Sequence, residues 1–179
     1  MAQAISREGD KAEELFLQLV SASRRSSSAA MGDAVVTVDG KDVSIEVKKC
    51  SSDRGIGTIN QVRAIKFIPL VVYNPAIDRW YVVPATELVR FATQKSRGQH
   101  TEIPYESMNI GLGNIGDWEC DPRELGGRLI EAVRFDRANE RLKAAMSELL
   151  QGIKEAREEY RVRVDGDLGG IARWPSFRK

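Results

Sequence analysis

Apolar and polar residues alternate most clearly in VSIEVKKC, which spans residues 43–50. Three aliphatic residues alternate there with three polar ones, which include Glu46 and Lys48. Successive side chains of a strand point to opposite faces, so this pattern predicts a strand with one buried face and one polar face. The β-branched run DAVVTV at 33–38 precedes it, and the segment DGKD at 39–42 lies between them. An Asp-Gly pair between two such runs predicts a β-hairpin.

Helical spacing of apolar residues marks two other segments. In residues 7–25 the apolar residues form one stripe, with Glu13 at its edge, which predicts an amphipathic helix. Residues 122–163 repeat mainly apolar positions every seven residues, with Asn139 as the one polar member. This a/d seam predicts a helix that packs on another helix, either within its own domain or across a two-fold axis.

The region between these segments predicts several shorter elements. They are a short helix at 59–68, strands at 69–74 and 79–84, and a helix at 85–94. The Gly-rich, polar stretch 95–121 is expected to hold short strands and working loops. This order of elements predicts an α/β fold, in which a mixed β-sheet core with a central hairpin is flanked by helices and followed by a mainly helical C-terminal extension.

We expect the core with its loops to occupy residues 1–121. The helical region at 122–164 is expected to serve in dimerisation or packing. The tail at 165–179 is Gly-rich and then basic and aromatic, and it is expected to be mobile.

Composition narrows the class of protein. The chain has 179 residues, 42% hydrophobic content and a formal net charge of +1. That charge excludes the strongly basic balance of a non-specific nucleic-acid coat, so any DNA-binding charge must be localised. The N-terminus lacks the apolar region of a signal peptide, and the longest apolar runs are too short to span a bilayer. We expect a soluble, cytoplasmic protein that contacts no membrane and in which Cys50 and Cys120 are free thiols, although the sequence leaves a pairing of the two open.

The predicted hairpin brings acidic residues to one polar face. If the turn pairs Val38 with Val43, Asp33 lies opposite Lys48 and on the same face as Glu46. Two nearby carboxylates repel each other unless a divalent cation lies between them, and Mg²⁺ prefers oxygen ligands and keeps several waters. An adjacent ammonium group can orient or deprotonate such a water. This combination suits hydrolysis of a phosphodiester.

The order of these residues resembles the PD-(D/E)xK nuclease superfamily, which includes type II restriction endonucleases and archaeal Holliday junction resolvases. The matching residues are Glu13 on a helix, Asp33, and Glu46 with Lys48 in IEVKK. The resemblance covers roughly residues 8–84. It implies that Asp33 and Glu46 bind Mg²⁺, with Mn²⁺ as a substitute. It also implies that Lys48 positions or activates the attacking water and that Glu13 assists the metal or its water shell.

Two further positions bear on the resemblance. Gly32 precedes Asp33 where the family name has proline, which is a departure from the pattern. Gln61 resembles a glutamine that is often found on the next helix, near the DNA backbone. Residue types that suit phosphates or base edges also occur elsewhere in the chain. The residues that we expect to contact DNA are Gln61, Arg24, Arg25, Lys49, Arg54, Lys95, Arg97, Gln99 and His100.

Each of these residues also has an ordinary structural interpretation. Glu46 and Lys48 could form the solvated face of an edge strand, where charge pairs are common and weak. Asp33 could cap the start of a strand, and Glu13 could be an exposed helical glutamate. The basic residues of the loop that contains His100 could form a polar surface.

The resemblance implies a Mg²⁺-dependent endodeoxyribonuclease. The polar segment after residue 94 lies beyond the minimal core, as an enzyme that reads sequence would need, so it favours a type II restriction enzyme that cuts a specific site in double-stranded DNA. Enzymes of this kind commonly act as homodimers. A structure-selective nuclease similar to a Holliday junction resolvase is the alternative within the family. A DNA-binding protein that keeps the fold without cleavage is the alternative from another class. RNA also remains open as a substrate.

Overall fold

The computed structural model describes residues 2–27, 32–50 and 57–167. The helices are α1 (Ala2–Leu19), α2 (Ala85–Thr93), α3 (Leu125–Arg137) and α4 (Glu140–Asp167). The strands are β1 (Ser23–Arg25), β2 (Ala34–Val38), β3 (Lys41–Lys49), β4 (Thr58–Val62), β5 (Leu70–Asn74), β6 (Arg79–Val83), β7 (Met108–Gly111) and β8 (Glu119–Cys120). Two 3₁₀ helices span Ala64–Lys66 and Leu112–Trp118.

The strands of the described residues form one mixed six-stranded sheet and one two-stranded sheet. The order in the larger sheet is β1-β2-β3-β5-β6-β8, and the smaller sheet pairs β4 with β7. Strands β3 and β5 are parallel, whereas their neighbours in the larger sheet are antiparallel. The α/β prediction, with a hairpin inside a mixed sheet and a mainly helical C-terminal extension, is therefore confirmed.

Two apolar cores lie on opposite faces of the six-stranded sheet. On one face, Phe16 of α1 and Leu129 of α3 pack with aliphatic residues of β2 and β3 and with Trp80 of β6. On the other face, α2, the small sheet and the first 3₁₀ helix pack together, joined by Met146 of α4. Because strand side chains alternate, Glu46 falls on this second face, at the edge of its apolar core.

The β2–β3 turn is tighter than the sequence predicted. Asp39 and Gly40 both have positive φ, at 50° and 72°, which is the pattern of a two-residue hairpin turn. Val38 consequently pairs with Lys41, and the predicted pairing of Val38 with Val43 is wrong by two residues. A four-residue connection is unnecessary because these two residues already match the twist of the strands.

The predicted helix at 59–68 is wrong. Ile59 and Val62 are both buried although they belong to strand β4. The register of β4 against β7 shifts between these two residues, and Gln61 has a φ of 56°. A bulge of this kind adds one residue to the period of two. The resulting spacing of three imitates a helix, and only Ala64–Lys66 is helical here.

The predicted helix at 7–25 also ends earlier than expected. Helix α1 stops at Leu19, and Ser23–Arg25 forms the edge strand β1, which pairs antiparallel with β2. A separate correction applies to the C-terminal helical region, which is divided between Arg137 and Glu140 into α3 and α4. The predicted helix at 85–94 is confirmed as α2.

The N-terminus of α2 is capped by a residue from another helix. Pro84 at its N-cap has no capping side chain. Asp136 of α3 accepts hydrogen bonds from the backbone N–H groups of Ala85 at 2.8 Å and Thr86 at 2.9 Å. These donors would otherwise lack partners in the first helical turn. Burial raises the pKa of Asp136, and the two N–H donors oppose that rise.

Both cysteines are buried free thiols, as predicted. Burial raises the pKa of Cys120 to about 11, so it stays protonated near neutral pH. Within the described ranges, none of the helices combines the length and the apolar character that crossing a bilayer requires.

Candidate active site

Asp33 lies at the head of the hairpin and is held there by the backbone of β3. Its N–H donates to the Ile45 carbonyl at 2.9 Å, and its Oδ2 accepts from the Val47 N–H at 2.8 Å. The register that pairs Ala34 with Ile45 continues to place Asp33 beside Glu46. Asp33 was predicted to lie opposite Lys48, and the tighter turn accounts for this difference.

Two ammonium groups flank Glu46. Lys48 Nζ lies 3.0 Å from Glu46 Oε1, and Lys66 Nζ lies 3.6 Å from Glu46 Oε2. The side chains of Glu46, Lys48 and Lys66 are only 13%, 23% and 17% exposed. Charges this poorly solvated interact more strongly than surface pairs. The three residues and Asp33 form what we call the charge quartet, which contains two carboxylates and two ammonium groups.

The electrostatics of Asp33 reflect this surrounding. Burial raises the pKa of Asp33 above its ordinary value, the Val47 N–H lowers it, and the negative charge of Glu46 raises it again. The charges of Lys48 and Lys66 lower it. Asp33 therefore interacts with all three other members of the quartet, and its ionised form is less favoured in the folded protein than in the unfolded chain.

The donor set of the quartet fits a hard divalent cation. Asp33 Oδ1 accepts no hydrogen bond from the described residues, and the contacts made by the Glu46 oxygens are with flexible lysine side chains. No group of three or more Asp, Glu, His or Cys side chains that could hold a metal ion occurs within the described part of the chain. Mg²⁺ suits such a site because it needs only one or two carboxylates and keeps several waters.

The backbone conformation at position 32 explains why glycine stands where the PD-(D/E)xK pattern has proline. Its φ is +106°, and a Cβ at this position would lie 2.8 Å from the Ile45 carbonyl oxygen. Neither proline, whose φ is fixed near −65°, nor any other side chain fits there without a backbone shift. Glycine lets the chain pass close to β3, and the next residue, Asp33, therefore lies beside Glu46.

Glu13 lies on α1, next to Ala12, which is buried against the first of the two cores. Its carboxylate forms an ion pair with Arg25 of β1 at 3.6 Å. The side chain is 23% exposed. The role predicted for Glu13 as an assisting residue stays a prediction.

Two of the predicted DNA-binding residues contact each other. The Gln61 N–H donates to Gln99 Oε1 at 2.8 Å, and the Gln99 N–H donates to the Ser107 carbonyl at 2.7 Å. The first bond attaches the loop after α2 to the bulge in β4, and the second attaches it to the residue before β7. Three other predicted residues of this loop are exposed to solvent: Lys95, Arg97 and His100.

The remaining predicted DNA-binding residues lie elsewhere. Arg24 forms an ion pair with Asp42 at 2.6 Å, and Arg25 pairs with Glu14 as well as Glu13. Lys49 is partly buried at the end of β3. Arg54 lies outside the described residues, as does the tail from 168 onwards. DNA contacts by all of these residues stay predictions.

Lys66 is the member of the quartet that the sequence analysis missed. It lies 20 residues from Glu46 in the chain, in the segment AIKFIP. A lysine between Ile65 and Phe67, just before a buried strand, is a signal that its ammonium group reaches an internal partner. The misassigned helix at 59–68 concealed that signal.

No family model matches this chain, and no curated relative matches it in sequence. Among solved structures, the chain is similar to a bacterial homing endonuclease, I-Ssp6803I. The two are 18% identical, the match covers 60% of this chain and 76% of the other, and the TM-score is 0.42. At that TM-score only part of the arrangement is shared, and the likeness carries no functional conclusion.

Proposed function

We propose that the protein is a Mg²⁺-dependent endonuclease that hydrolyses phosphodiester bonds of double-stranded DNA at a specific site, in the manner of a type II restriction enzyme. The observation that supports this function is the charge quartet. Asp33, just before β2, lies beside Glu46 of the adjacent strand β3, and Lys48 Nζ is 3.0 Å from Glu46. Carboxylates that share a divalent cation beside an ammonium group suit attack on a phosphate.

In this proposal Asp33 and Glu46 hold the ion, which Mn²⁺ can replace. When bound, the ion supplies Lewis-acid stabilisation of the charge that develops on the phosphate. Lys48 is placed to orient the attacking water and to stabilise its deprotonated form. Gly32 and the Val47 N–H keep Asp33 in place for this task. Glu13 has an assisting role.

Sequence reading is assigned to the loop that Gln99 attaches to β4. Lys95, Arg97 and His100 are exposed there, and their side chains suit phosphates and base edges. A rigid attachment favours this role, because a loop that reads bases must be held in a defined position.

A homodimer in which each copy cuts one strand is part of the proposal. Leu149 and Tyr160 of α4 are 37% and 72% exposed, and a helix with such a surface can pack on its symmetry mate. Light scattering should give about twice the chain mass of 19.9 kDa. A monomer would remove the dimer from the proposal and leave cleavage untouched.

The deciding experiment is digestion of a mixed-sequence plasmid with Mg²⁺ and with a chelator, followed by mapping of the ends. We expect discrete fragments with Mg²⁺ only. Lys48→Ala should lower the cleavage rate by at least about 100-fold, and Lys41→Ala, at the exposed opposite end of the same strand, should leave it unchanged. Normal cutting by Lys48→Ala would show the mechanism to be wrong.

Cleavage and binding assays with other substrates, under the same two conditions, separate the alternatives. A resolvase-like enzyme would leave linear duplex intact and cut four-way junctions. A non-cleaving DNA-binding protein would retard DNA in a gel without cutting it under either condition. Cleavage of an RNA duplex in preference to DNA would change the substrate assigned here.

A further inference from the structure

Lys66 carries an inference that goes beyond the cleavage reaction and rests on the proposed cation site. Its Nζ is inaccessible to solvent and has no hydrogen-bond partner among the described residues. Its ion-pair contact with Glu46 Oε2 is 3.6 Å long. A lysine ammonium has three donors, and a buried donor without an acceptor is unfavourable. Lys66 is therefore held close to its counter-charge without being satisfied by it.

The backbone around Lys66 is firmly anchored. Ile65 N–H donates to the Tyr105 carbonyl at 2.9 Å, and Phe67 N–H donates to the Ala64 carbonyl at 3.0 Å. Ala64, Ile65 and Phe67 are all buried. The base of the side chain is consequently fixed, and only the ammonium end of its four-carbon stem is free to move.

The charges of the quartet sum to zero while no cation is bound. Asp33 and Glu46 contribute two negative charges, and Lys48 and Lys66 contribute two positive charges. A divalent cation held by the two carboxylates would raise the total to +2 and would repel the ammonium groups. The carboxylates would then no longer neutralise Lys48 and Lys66, and both ammonium groups could bind an anionic ligand. Phosphodiester oxygens are hydrogen-bond acceptors of the kind that Lys66 lacks.

We propose that Lys66 neutralises Glu46 in place of the divalent cation, and that it releases Glu46 and donates to a DNA phosphate once the cation is bound. Lys66 thus couples cation binding to DNA binding. A protein without the cation offers DNA one cationic contact fewer at this site. The two binding events are reciprocal, because each ligand must change the affinity for the other by the same factor.

The first test measures binding of Mg²⁺, and separately of Mn²⁺, to the DNA-free protein by calorimetry. Lys66→Met keeps the apolar stem and removes the competing charge, so it should bind either ion about three- to tenfold more tightly than the parent. Lys66→Arg restores a cation and should return the affinity towards the parent value. Lys154→Met, on the exposed part of α4, removes the same charge from a remote position and should leave the affinity unchanged.

The second test measures the salt dependence of binding to a 30-base-pair mixed-sequence duplex, with Ca²⁺ as an oxygen-ligated cation and again with a chelator. A phosphate contact contributes about one unit to the slope of log affinity against log salt. With Ca²⁺, Lys66→Met should have a slope shallower than the parent by about one unit. With chelator the two slopes should agree, since Lys66 is then engaged by Glu46.

Specific results would overturn this coupling. An unchanged or weaker cation affinity in a folded Lys66→Met variant would show that Lys66 does not compete with the ion. Equal slopes with Ca²⁺, or the same difference in both conditions, would show that no transfer to phosphate takes place. If Lys66→Met does not fold, the neutral Lys66→Gln is judged by the same criteria.

The outcomes also separate this inference from the proposed nuclease activity. An uncut plasmid together with a cation-dependent contribution from Lys66 would remove cleavage and keep the coupling. Plasmid cleavage without that contribution would remove the coupling and keep the nuclease.

Discussion

Asp33 and Asp136 are two carboxylates whose charged forms are both disfavoured by burial, but the two differ in their hydrogen bonds. Burial raises the pKa of both. Asp136 has a hydrogen bond to each carboxylate oxygen, from Ala85 and Thr86, and caps a helix. Asp33 has a hydrogen bond to Oδ2 alone within the described residues and lies beside another carboxylate. The satisfied carboxylate stabilises the fold, whereas the unsatisfied one is available to a ligand.

The largest effect expected from this comparison is the loss of cleavage in Asp33→Asn. The amide oxygen can still accept from the Val47 N–H, but the charge that would hold the cation is lost. We expect the Mg²⁺-dependent cleavage rate to fall at least about 100-fold. Because the raised pKa of Asp33 means that its ionised form is less favoured in the folded state than in the unfolded chain, the melting temperature near neutral pH should stay the same or rise.

Plasmid cleavage and thermal unfolding are measured on the same preparation of Asp33→Asn. Asp117→Asn, an exposed position, provides the matched control and should change neither quantity. A clear loss of stability in Asp33→Asn with normal cutting would assign Asp33 the structural role that we give to Asp136.

Asp136→Ala should produce the reverse outcome. The backbone N–H groups of Ala85 and Thr86 would lose their acceptor inside the protein. We expect the free energy of unfolding to fall by about 2–3 kcal/mol, since each buried donor left unpaired carries a penalty. Chemical denaturation measures this loss, with Asp117→Ala as the exposed control. Cleavage at a temperature where the variant is folded should persist, and its disappearance there would place Asp136 in the reaction.

Local patterns predicted the parts of the fold that depend on neighbouring residues. The alternation in residues 43–50 and the Asp-Gly turn identified the hairpin, and the helix predicted at 85–94 is present as α2. Asp33 and Glu46 came together despite a register that was wrong by two residues, because a shift of two keeps a side chain on the same face of its strand. The bulge in β4 changed the period from two to three and led to an incorrect helix.

The contacts that the sequence could not predict join distant segments. Lys66 reaches Glu46 across 20 residues, and Asp136 caps α2 from about 50 residues away. No local spacing encodes such a contact, since it depends on how the elements pack. The site was therefore predicted as Asp33, Glu46 and Lys48 with Glu13 assisting, and its second ammonium group, that of Lys66, became visible only in the folded chain.

Gly32→Ala examines the backbone that presents Asp33. A Cβ would lie 2.8 Å from the Ile45 carbonyl oxygen at a φ of +106°. We expect a loss of about 2–3 kcal/mol in the free energy of unfolding, together with a fall in cleavage because Asp33 is displaced. Gly40→Ala is the matched control, because Gly40 has a φ of +72° but no atom within 4 Å of the added Cβ.

Gly40→Ala should cost about 1 kcal/mol from the positive φ alone and should leave cleavage intact. The difference between the two variants isolates the close approach of Gly32 to β3. Equal losses of stability, with cleavage retained in both, would mean that this approach does not position Asp33.

The smallest expected effect is a pH dependence of stability that comes from Asp136. Since its pKa is raised above 3.8 in the folded protein, the native state holds a proton that the unfolded chain releases. Its contribution to stability is therefore complete below the unfolded pKa and is lost as pH rises through the folded pKa. The unfolding free energy of the parent, relative to Asp136→Asn, should decline over that interval and then level off.

Asp121, whose pKa is lowered by the Arg123 N–H, is the control of opposite sign, because the parent should gain stability relative to Asp121→Asn as pH rises towards 3.8. A parent curve that rises relative to Asp136→Asn would mean that the two N–H donors outweigh burial, and the cap would then favour the charged carboxylate.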